Sequence, residues 1–523
     1  MARFLTQSPA WFSLMSPDLV IGVDSSTTAT KAIAWDRSGM AVAEGRAPIA
    51  LNNPQPGYFE QDPAEWWTST ASALRGVTRK IDPMRITALA ISNQRETIAL
   101  FRRNGSAVRP GTVWLDERSR PQEKSFGQRF GAERLHAISG KPLDVIPCLF
   151  RMIWHAEHEP ALFAEAEMFA DVHGFLSFKL TGDWATSTAS ADPMGILDMR
   201  RMSWSSEILE AAGVDIGRLP RLVRPGHVIG QVTAEAASAT GLRAGTRVVA
   251  GGGDGQCAGT GVNLLRPGDA YVNLGTAVVS GSYGVGYAFD PAYRTEVAIA
   301  DRGYIFETCL RAGTFLIDWF VRELCTGVGI DRTALFADLE QEAARAPIGA
   351  GGLLLVPYWQ GCMNPHWDSH ARGFIAGLSG STKRSHIYRA VLEGIALEQA
   401  VATDQVARST GVPINRYTAV GGGAASDLWA QILADASNRA VIRTTTVEAS
   451  SLGVAMAAAA GAGLFGSIAE ASSAMAGRSI RTFEPVPAQV ARYAELKSIY
   501  ADLWPLLASW NRRLATFAEH KDV

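Results

Sequence analysis

The chain has 523 residues, more than one hydrophobic core usually serves, so we expect two domains of roughly 200–250 residues each. Its composition, 47% hydrophobic and 19% charged, excludes an intrinsically disordered chain. Because 49 basic residues are balanced by 51 acidic ones, the net charge of −2 gives no general attraction to nucleic acid or to an anionic membrane. We therefore expect neither as a partner, and any anionic ligand has to be held locally.

The cysteines and the N-terminal residues favour a cytoplasmic location. There are five cysteines, an odd number, and they form no Cys-x-x-Cys pair, so neither a disulfide framework nor a structural zinc site is indicated. The stretch Gln7–Pro9 interrupts the first sixteen residues before they resemble a signal peptide. No later run of about twenty apolar residues predicts a membrane span.

The first predicted elements are two strands joined by a polar turn. The apolar run Leu19–Val23 leads into Asp24-Ser-Ser-Thr-Thr28, and Lys31–Trp35 follows as a second strand. A carboxylate at the end of an apolar strand has no packing role, so Asp24 is a candidate for holding hydrated Mg²⁺. The alternative is an ordinary turn, in which Ser, Thr and Asp side chains satisfy the local backbone.

Helices and strands then alternate, which indicates an α/β domain. Asp62 is a predicted N-cap for a helix whose first position is Pro63. The apolar run Ile86–Ser92 predicts a buried strand, and Thr97–Phe101 is expected to pair with the residues from Val108 onward through an Asn-Gly turn.

A polar cluster follows the buried strand. Gln94, Arg95 and Glu96 place donors and acceptors side by side, as a polyhydroxylated ligand requires. The alternative is a solvated strand end with a local Arg–Glu pair. Trp114 is an apolar surface of the kind that packs on the C–H face of a sugar, or else a tryptophan of the core.

A glycine-rich segment carries the best candidate for a catalytic base. The strand Arg247–Ala250 runs into Gly251-Gly-Gly-Asp254-Gly-Gln256. Glycines on both sides of one carboxylate allow the backbone and a ligand to approach closely, so Asp254 is a candidate general base. The alternative is that Asp254 only caps a helix that starts near Gln256.

The second half of the chain repeats the opening pattern. The strands Ala270–Leu274 and Ala277–Ser280 are joined by a short polar turn, as in the first hairpin. The breaker sequence Arg266-Pro-Gly268 precedes them. We therefore predict two domains of similar architecture, residues 17–262 and 263–510.

The two polar turns are the predicted phosphate-binding elements. Neither a Walker A sequence nor a Gly-x-Gly-x-x-Gly after a strand is present in the sequence. Thr27 and Thr28, with Lys31 nearby, offer hydroxyls and a cation, and Gly275-Thr276 offers backbone N–H groups. The two turns would clasp a triphosphate from both sides.

A third glycine turn lies further along the chain. Gly422 and Gly423 lie between an apolar run and Ser426, after which a helix is predicted from Asp427. This arrangement suits a contact with adenosine or phosphate at a helix start. The alternative is a tight turn that packs on a sheet.

These segments, in this order and spacing, resemble the FGGY carbohydrate kinases, and the resemblance spans nearly the whole chain. The substrate loop is more similar to that of glycerol kinases than to that of xylulose kinases. The matching motifs are Gly22–Thr28, Gly57–Pro63, Asn93–Thr97, Trp114–Asp116, Gly253–Gln256, Leu274–Thr276, Asn364–Gly373, Gly421–Gly423 and Glu448–Gly453.

The resemblance implies two ribonuclease H-like domains of the actin and Hsp70 type, with ATP and the substrate meeting in a cleft between them. It implies Asp254 as the catalytic base and Asp24 as the residue that organises Mg²⁺ through water. The substrate would be surrounded by Gln94, Arg95, Glu96, Trp114 and Gln256. The residues toward ATP would be Thr27, Thr28, Lys31, Gly275, Thr276, Gly422, Gly423 and Ser426.

Some positions depart from the family pattern. Lys31 stands where glycerol kinases have arginine, Gly255 separates Asp254 from Gln256, and Cys148 lies where a substrate-contacting tyrosine is expected. The Met-His pair of xylulose kinases is missing from the loop of residues 93–97.

We predict ATP-dependent phosphorylation of a terminal hydroxyl of a small ketose such as xylulose, or of a linear polyol similar to glycerol or erythritol. The alternative is a non-catalytic ATP-driven switch, and a homodimer is the commonest oligomer for such a protein.

Overall fold

The computed structural model describes residues 18–300, 303–325 and 332–519. Residue 17, the predicted start of the first domain, lies outside these ranges. None of the helices in the described ranges is long and apolar enough to cross a bilayer.

The described residues contain two large sheets and several two-residue to four-residue strands in the loops. The strands in chain order are β1 Leu19–Ser25, β2 Ala29–Trp35, β3 Ala41–Pro48, β4 Glu60–Gln61, β5 Ile86–Asn93, β6 Ile98–Phe101, β7 Gly111–Thr112, β8 Met168–Asp171, β9 Ala185–Ser187, β10 Leu197–Asp198, β11 Ser203–Trp204, β12 Arg221–Val223, β13 Val228–Gln231, β14 Arg247–Gly253, β15 Asp269–Leu274, β16 Val278–Gly284, β17 Arg294–Val297, β18 Tyr304–Leu310, β19 Leu354–Val356, β20 Phe374–Ala376, β21 Arg416–Val420, β22 Ala440–Thr444 and β23 Ser479–Phe483.

Helices cover the faces of both sheets. In chain order they are α1 Pro63–Thr78, α2 Arg120–Phe126, α3 Ala132–Ser139, α4 Cys148–His158, α5 Pro160–Glu165, α6 Val172–Thr181, α7 Thr188–Ala191, α8 Ser206–Ala212, α9 Ala234–Thr240, α10 Asp254–Gly261, α11 Thr314–Leu324, α12 Arg332–Arg345, α13 Arg384–Thr410, α14 Asp427–Ser437, α15 Ala449–Gly461, α16 Ile468–Met475 and α17 Pro487–Glu519.

The first sheet has the strand order β13-β14-β5-β1-β2-β3. Its centre is the predicted hairpin, in which β1 runs antiparallel to β2, while β5 and β14 lie parallel to β1 and to each other. Almost every residue of β1 and β5 is buried, as expected for central strands covered on both faces. The predicted cap of α1 is also confirmed, since the Asp62 carboxylate accepts a hydrogen bond from the N–H of Ala64.

The second sheet has the strand order β17-β18-β16-β15-β21-β22-β23. Its hairpin of β15 and β16 is antiparallel, and β21 and β22 continue in parallel from β15. The five strands β18-β16-β15-β21-β22 therefore repeat the order and directions of β3-β2-β1-β5-β14. The prediction that the second half repeats the first is confirmed at the level of sheet topology.

The two halves meet where α10 crosses α15. At this crossing the backbones touch, because a Cβ on Gly453 would overlap the carbonyl of Cys257, and one on Gly261 would overlap the carbonyl of Ala449. A Cβ on Gly22 would likewise overlap the carbonyl of Ser451. Glycine is thus required at these positions by close approach.

In each sheet the predicted site residues lie at the carboxyl ends of the parallel strands. In the first sheet, Asp24 pairs with Ser92, and Gly253 pairs with Asn93, so the polar residues that follow β1, β5 and β14 lie together. In the second sheet Asn273 pairs with Val420, which places the turns after β15 and β21 side by side. Ligand sites of open α/β sheets commonly lie at such carboxyl ends.

Candidate active site

A cleft of about 1140 Å³ lies between these edges, with walls from both halves of the chain. Six of the predicted site residues line it, namely Arg95, Glu96, Trp114, Asp254, Gly275 and Thr276. A second cavity of about 650 Å³ shares Thr276 with the cleft and is lined by the predicted residues Gly422, Gly423 and Ser426. The two cavities therefore adjoin at the second polar turn.

Asp254 is the first residue of α10 and presents a carboxylate that is 45% exposed to the cleft. Its Oδ1 accepts hydrogen bonds from the N–H of Gly255 at 2.8 Å and from Nε of Arg95 at 3.0 Å. The N-cap is Gly253, so the alternative that Asp254 only caps a helix starting near Gln256 is wrong. The Oδ1 atom is held in place while the carboxylate stays accessible.

The glycines beside Asp254 are explained by Arg95. A Cβ on Gly253 would overlap the aliphatic part of the Arg95 side chain, and one on Gly255 would crowd its guanidinium and Oε2 of Glu307. The close approach expected at these glycines is therefore made by Arg95, whose guanidinium also pairs with Asp254.

A network of charged side chains forms the base of the cleft. Arg95 donates through Nη1 to Oε2 of Glu307 at 2.9 Å, and Arg294 donates to Glu96 at 2.7 Å and also to Glu307. Lys141 lies 3.3 Å from Glu296, which is fully buried. The alternative of a local pair between Arg95 and Glu96 at a solvated strand end is wrong, because both side chains pair with charges from other strands.

Burial and charge compete within this network. Burial by itself disfavours charge on Arg95, but the carboxylates of Glu307 and Asp254 hold its pKa well above the usual value. For Glu296, burial is outweighed by Lys141, Arg95 and Arg294, which lower its pKa to about 2. Burial and the nearby Glu296 carboxylate raise the pKa of Asp192 well above its ordinary value.

Glu96 is fixed in an unusual backbone conformation. Its φ of 46° lies in the left-handed region, which non-glycine residues adopt rarely. The buried guanidinium of Arg151 donates to the Glu96 carbonyl, and the Glu96 carboxylate accepts from Arg294. Both ends of the residue are therefore held, and the carboxylate faces the cleft.

Trp114 belongs to the cleft wall, so the alternative of a core tryptophan is wrong. Its side chain is 37% exposed, and its Nε1 donates to the hydroxyl of Thr27 at 3.0 Å. This bond joins the wall of the cleft to the first polar turn. Thr28 is exposed on the same turn, and its carbonyl accepts from the N–H of Ile49.

Gln94 and Gln256 do not reach the cleft, contrary to prediction. Nε2 of Gln94 donates to Gln61 at 2.7 Å, and Nε2 of Gln256 donates to the carbonyl of Ala189 at 2.8 Å. Both side chains are almost fully buried. Residues two apart on a helix point about 200° apart, so Gln256 cannot share the face of Asp254.

The first polar turn is held by one ion pair between the two halves and by a hydrogen bond within the first half. Nζ of Lys31 pairs with Oε1 of Glu448 at 2.6 Å, and Asp24 accepts from the hydroxyl of Ser92 at 3.0 Å. Burial and the neighbouring Asp254 carboxylate raise the pKa of Asp24 to about 7. Within the described residues, no three side chains of His, Cys, Asp or Glu are grouped so as to hold a metal ion directly.

The second polar turn is braced by the segment that follows β18. The N–H of Gly313 donates to the carbonyl of Thr276 at 2.9 Å, and the N–H of Thr314 donates to that of Gly275 at 2.8 Å. Arg311 precedes this segment and lines the cleft. In the described part of the chain its guanidinium forms no ion pair. Sequence reasoning missed Arg311; a lone arginine at the end of a buried strand was the available signal.

The third turn forms one wall of the second cavity. Gly422–Ala425 is a single 3₁₀ turn, and Ser426 caps α14 by accepting from the N–H of Trp429 at 3.0 Å. A Cβ on Gly423 would overlap the Trp429 ring, whereas one on Gly422 would meet nothing within 4 Å. The segment is therefore a tight turn, as the alternative predicted, and it also borders a cavity; its predicted contact with adenosine or phosphate stays a prediction.

Comparisons with known proteins agree with this geometry. Residues 19–261 match the family model described as the FGGY family of carbohydrate kinases, N-terminal domain, and residues 258–462 match that of the C-terminal domain. The chain is 30% identical over 510 residues to the xylulose kinase of Bacillus subtilis (strain 168), which covers 96% of this chain and 99% of that protein.

Two further relatives point the same way. The glycerol kinase of Aromatoleum aromaticum is 31% identical over 496 residues, covering 91% of this chain and 96% of that protein. The crystal structure of xylulose kinase from Rhodospirillum rubrum has a TM-score of 0.87 at 26% identity, covering 94% of this chain and 99% of that one. The chain therefore belongs to the FGGY family of carbohydrate kinases and is a phosphotransferase that acts on a sugar or polyol.

Proposed function

We propose that this kinase transfers the γ-phosphoryl group of ATP to a terminal hydroxyl of a small ketose or linear polyol, with Asp254 as the general base. The observation that carries the proposal is the position of the Asp254 carboxylate. It is accessible in a cleft that Arg95, Glu96, Trp114 and Gly275-Thr276 also line.

In this mechanism Asp254 accepts the proton of the acceptor hydroxyl as its oxygen bonds to the γ-phosphorus. The bond to the β–γ bridging oxygen breaks, and ADP leaves with the electron pair. Arg95 fixes Oδ1 of Asp254, which leaves Oδ2 for the proton. Arg294, through Glu96, helps to orient the carboxylate that would accept hydrogen bonds from substrate hydroxyls.

The residues around the first polar turn fit a hydrated Mg²⁺. The Asp254 carboxylate is close enough to disfavour charge on Asp24, and the nearby Lys31 is already paired with Glu448. A divalent cation would compensate this excess of negative charge, and Mg²⁺ commonly retains several water ligands. When bound, Mg²⁺ neutralises charge on the phosphate oxygens. Asp24 would hold it through water.

The nucleotide would extend from the cleft into the second cavity. The backbone of Gly275-Thr276 lies between the two cavities and would contact the phosphates. Gly422, Gly423 and Ser426 would lie against the adenosine. We further propose that Arg311, a cleft residue without an ion pair in the described ranges, compensates charge on the transferred phosphoryl group.

The acceptor end of the cleft favours no narrow glycerol pocket. Cys148, which lies in the segment where a tyrosine was expected, is buried beside Arg151, and burial raises its pKa to about 12. Val145 and Ile146 line the cleft instead. We therefore propose a substrate with more than three carbons, whose chain packs along this aliphatic wall. Lys31, which was predicted beside the phosphates, would reach them only if its pair with Glu448 opens.

Two finer points of the predicted fold stay proposals. The shared order of the two sheets supports assigning each to the ribonuclease H-like type found in actin and Hsp70. The domain limits 17–262 and 263–510 place α10 in the first domain. The ATP-driven switch is not favoured, because the family is one of carbohydrate kinases.

A coupled assay of ADP release tests the proposed function. The protein is incubated with ATP and Mg²⁺, alone and with glycerol, erythritol, xylulose, ribulose or related compounds. We expect slow ADP release alone and release at least about tenfold faster with one four-carbon or five-carbon substrate. Release that no sugar or polyol accelerates would contradict the proposal, whereas acceleration by glycerol alone would contradict only the substrate size.

A further inference from the structure

The C-terminal helix α17, Pro487–Glu519, has one face fixed against the protein. Tyr493 and Tyr500 are buried and donate from their hydroxyls to Glu393 at 2.9 Å and Glu398 at 2.5 Å. Asn511 is buried further along and donates to the carbonyl of Arg372 at 2.9 Å. Because these anchors are spread along the helix, α17 cannot roll, and its outer face has a defined orientation.

The outer face carries a continuous apolar stripe. Seventeen large hydrophobic side chains are exposed in the described part of the chain, and five of them lie within 19 residues of α17. Leu506 is 72% exposed and Phe517 is 78% exposed. Successive stripe residues are seven, four, four and three positions apart, which keeps them on one side of a helix. The stripe consists of Ile499, Leu506, Trp510, Leu514 and Phe517.

An oppositely charged pair borders the stripe on one flank. Asp502 precedes Leu506 by four residues, and Arg513 follows Trp510 by three, which places both charges on the same side of the stripe. Both are exposed, and neither forms an ion pair with any other described residue. Arg512, next along the chain, is by contrast paired with Asp368.

These positions are self-complementary in an antiparallel arrangement. Ile499 and Phe517 are centred on position 508, and so are Leu506 and Trp510. The charged residues 502 and 513 are centred on position 507.5, within half a residue of the same point. When two identical helices pair antiparallel about a two-fold axis, equal flanks meet, so each Asp502 lies opposite the Arg513 of the other copy.

We propose that α17 forms a two-fold dimer with the α17 of a second copy of this chain, antiparallel and centred near residue 508. Each Leu506 packs against the Trp510 of the other copy, each Ile499 packs against Phe517, and two Asp502–Arg513 pairs close one flank. The stripe spans about 27 Å, and burying it removes on the order of 400 Å² of apolar surface per copy. That area suits a weak, concentration-dependent dimer.

Sedimentation velocity on the full chain, from about 0.1 to about 100 µM, measures the dimer and is independent of the proposed reaction. Asp502→Arg and Arg513→Asp each bring two like-charged pairs together, so each alone is expected to raise the Kd about tenfold. The double variant reverses both charges and is expected to restore the Kd to within about twofold. Arg512→Asp, which reverses the neighbouring charge off the stripe, is the matched control.

Three results would overturn the proposal. One is a monomer at every concentration, as follows if another part of the chain or another protein covers the stripe. A second is a dimer whose Kd is unchanged by either single charge reversal. The third is a double variant that is no better than the singles, since only an Asp502–Arg513 pairing between copies predicts rescue.

Discussion

The two ends of the proposed substrate-binding region differ in the groups that form them. The proposed acceptor end rests on paired charged side chains that are at most about 10% exposed, among them Arg95, Arg294 and Glu307. The proposed nucleotide end rests on backbone turns, in which Gly275-Thr276 and Gly422-Gly423 line the two cavities. Charge balance therefore governs the first end, while close packing governs the second. Substitutions that remove charge should be most severe at the acceptor end, and substitutions that add volume should act at the nucleotide end.

The largest effect is expected at Asp254. Asp254→Asn removes the proton acceptor but retains the shape of the side chain, so kcat should fall roughly 10²–10⁴-fold with little change in the KM for ATP. Steady-state kinetics with the best substrate measures this. Asp62→Asn, which keeps a helix-capping residue on α1, is the control and should leave kcat unchanged. An unchanged kcat in Asp254→Asn would remove this residue from its role.

The charge network predicts a large loss of stability at Arg294. Arg294→Met leaves Glu96 and Glu307 buried without this partner, so the free energy of unfolding should fall by about 3–5 kcal/mol. Chemical denaturation measures the change. Arg416→Met breaks an exposed pair with Asp269 and should cost less than about 1 kcal/mol. Equal losses in the two variants would show that burial does not distinguish these pairs.

A substitution of Arg311 tests whether this cleft residue compensates charge on the transferred phosphoryl group. Arg311→Met should lower kcat about 10²-fold, because a charge that faces the transferred group stabilises the transition state. The KM of the acceptor should change little. Arg243→Met, at an exposed position in the first half, is the control. A rise in the KM for ATP with kcat preserved would instead assign Arg311 to ground-state binding.

Two adjacent glycines test the packing of the nucleotide end. Gly423→Ala forces a methyl group against the Trp429 ring and should lower the free energy of unfolding by about 1–3 kcal/mol. Gly422→Ala meets open space and should leave stability within about 0.5 kcal/mol. Thermal unfolding of the two variants makes the comparison. Similar melting temperatures would mean that the turn can shift to accommodate the methyl group without a loss of stability.

Only a small effect on stability is expected at Lys31. Lys31→Met breaks a partly exposed pair with Glu448, so the free energy of unfolding should change by less than about 1 kcal/mol. If the pair opens to let Lys31 reach a phosphate, the KM for ATP should nevertheless rise. A KM that stays at the wild-type value would confine Lys31 to its pair with Glu448.

Local sequence was sufficient where a segment carries its own signal. The strand β1 is continuously apolar and ends in a charged turn, and Asp254 lies between glycines, so both were found without tertiary information. Gln94 and Gln256 were misplaced for a geometric reason. Neighbours in an extended segment or on a helix face different directions, and a motif does not reveal which face is turned toward the cleft.

The charged residues that surround Arg95 were harder to predict from the sequence. Arg294 and Glu296 come from β17, about two hundred residues after Arg95. Their spacing of two residues places both on one face of a strand, and all four residues of this strand are buried. The spacing itself can be read from the sequence. Nothing local, however, indicates which distant charges they meet, since pairing is decided by how the two halves dock.

The glycine crossing of α10 and α15 also has a mechanical consequence. Asp254, the proposed base, begins α10, and Glu448 precedes α15, so the separation of these two helices sets the distance between these two carboxylates. With backbones in direct contact at Gly261 and Gly453, that distance is already at its minimum. A methyl group at Gly261 or Gly453 would therefore push the two helices apart and lengthen the distance between Asp254 and Glu448.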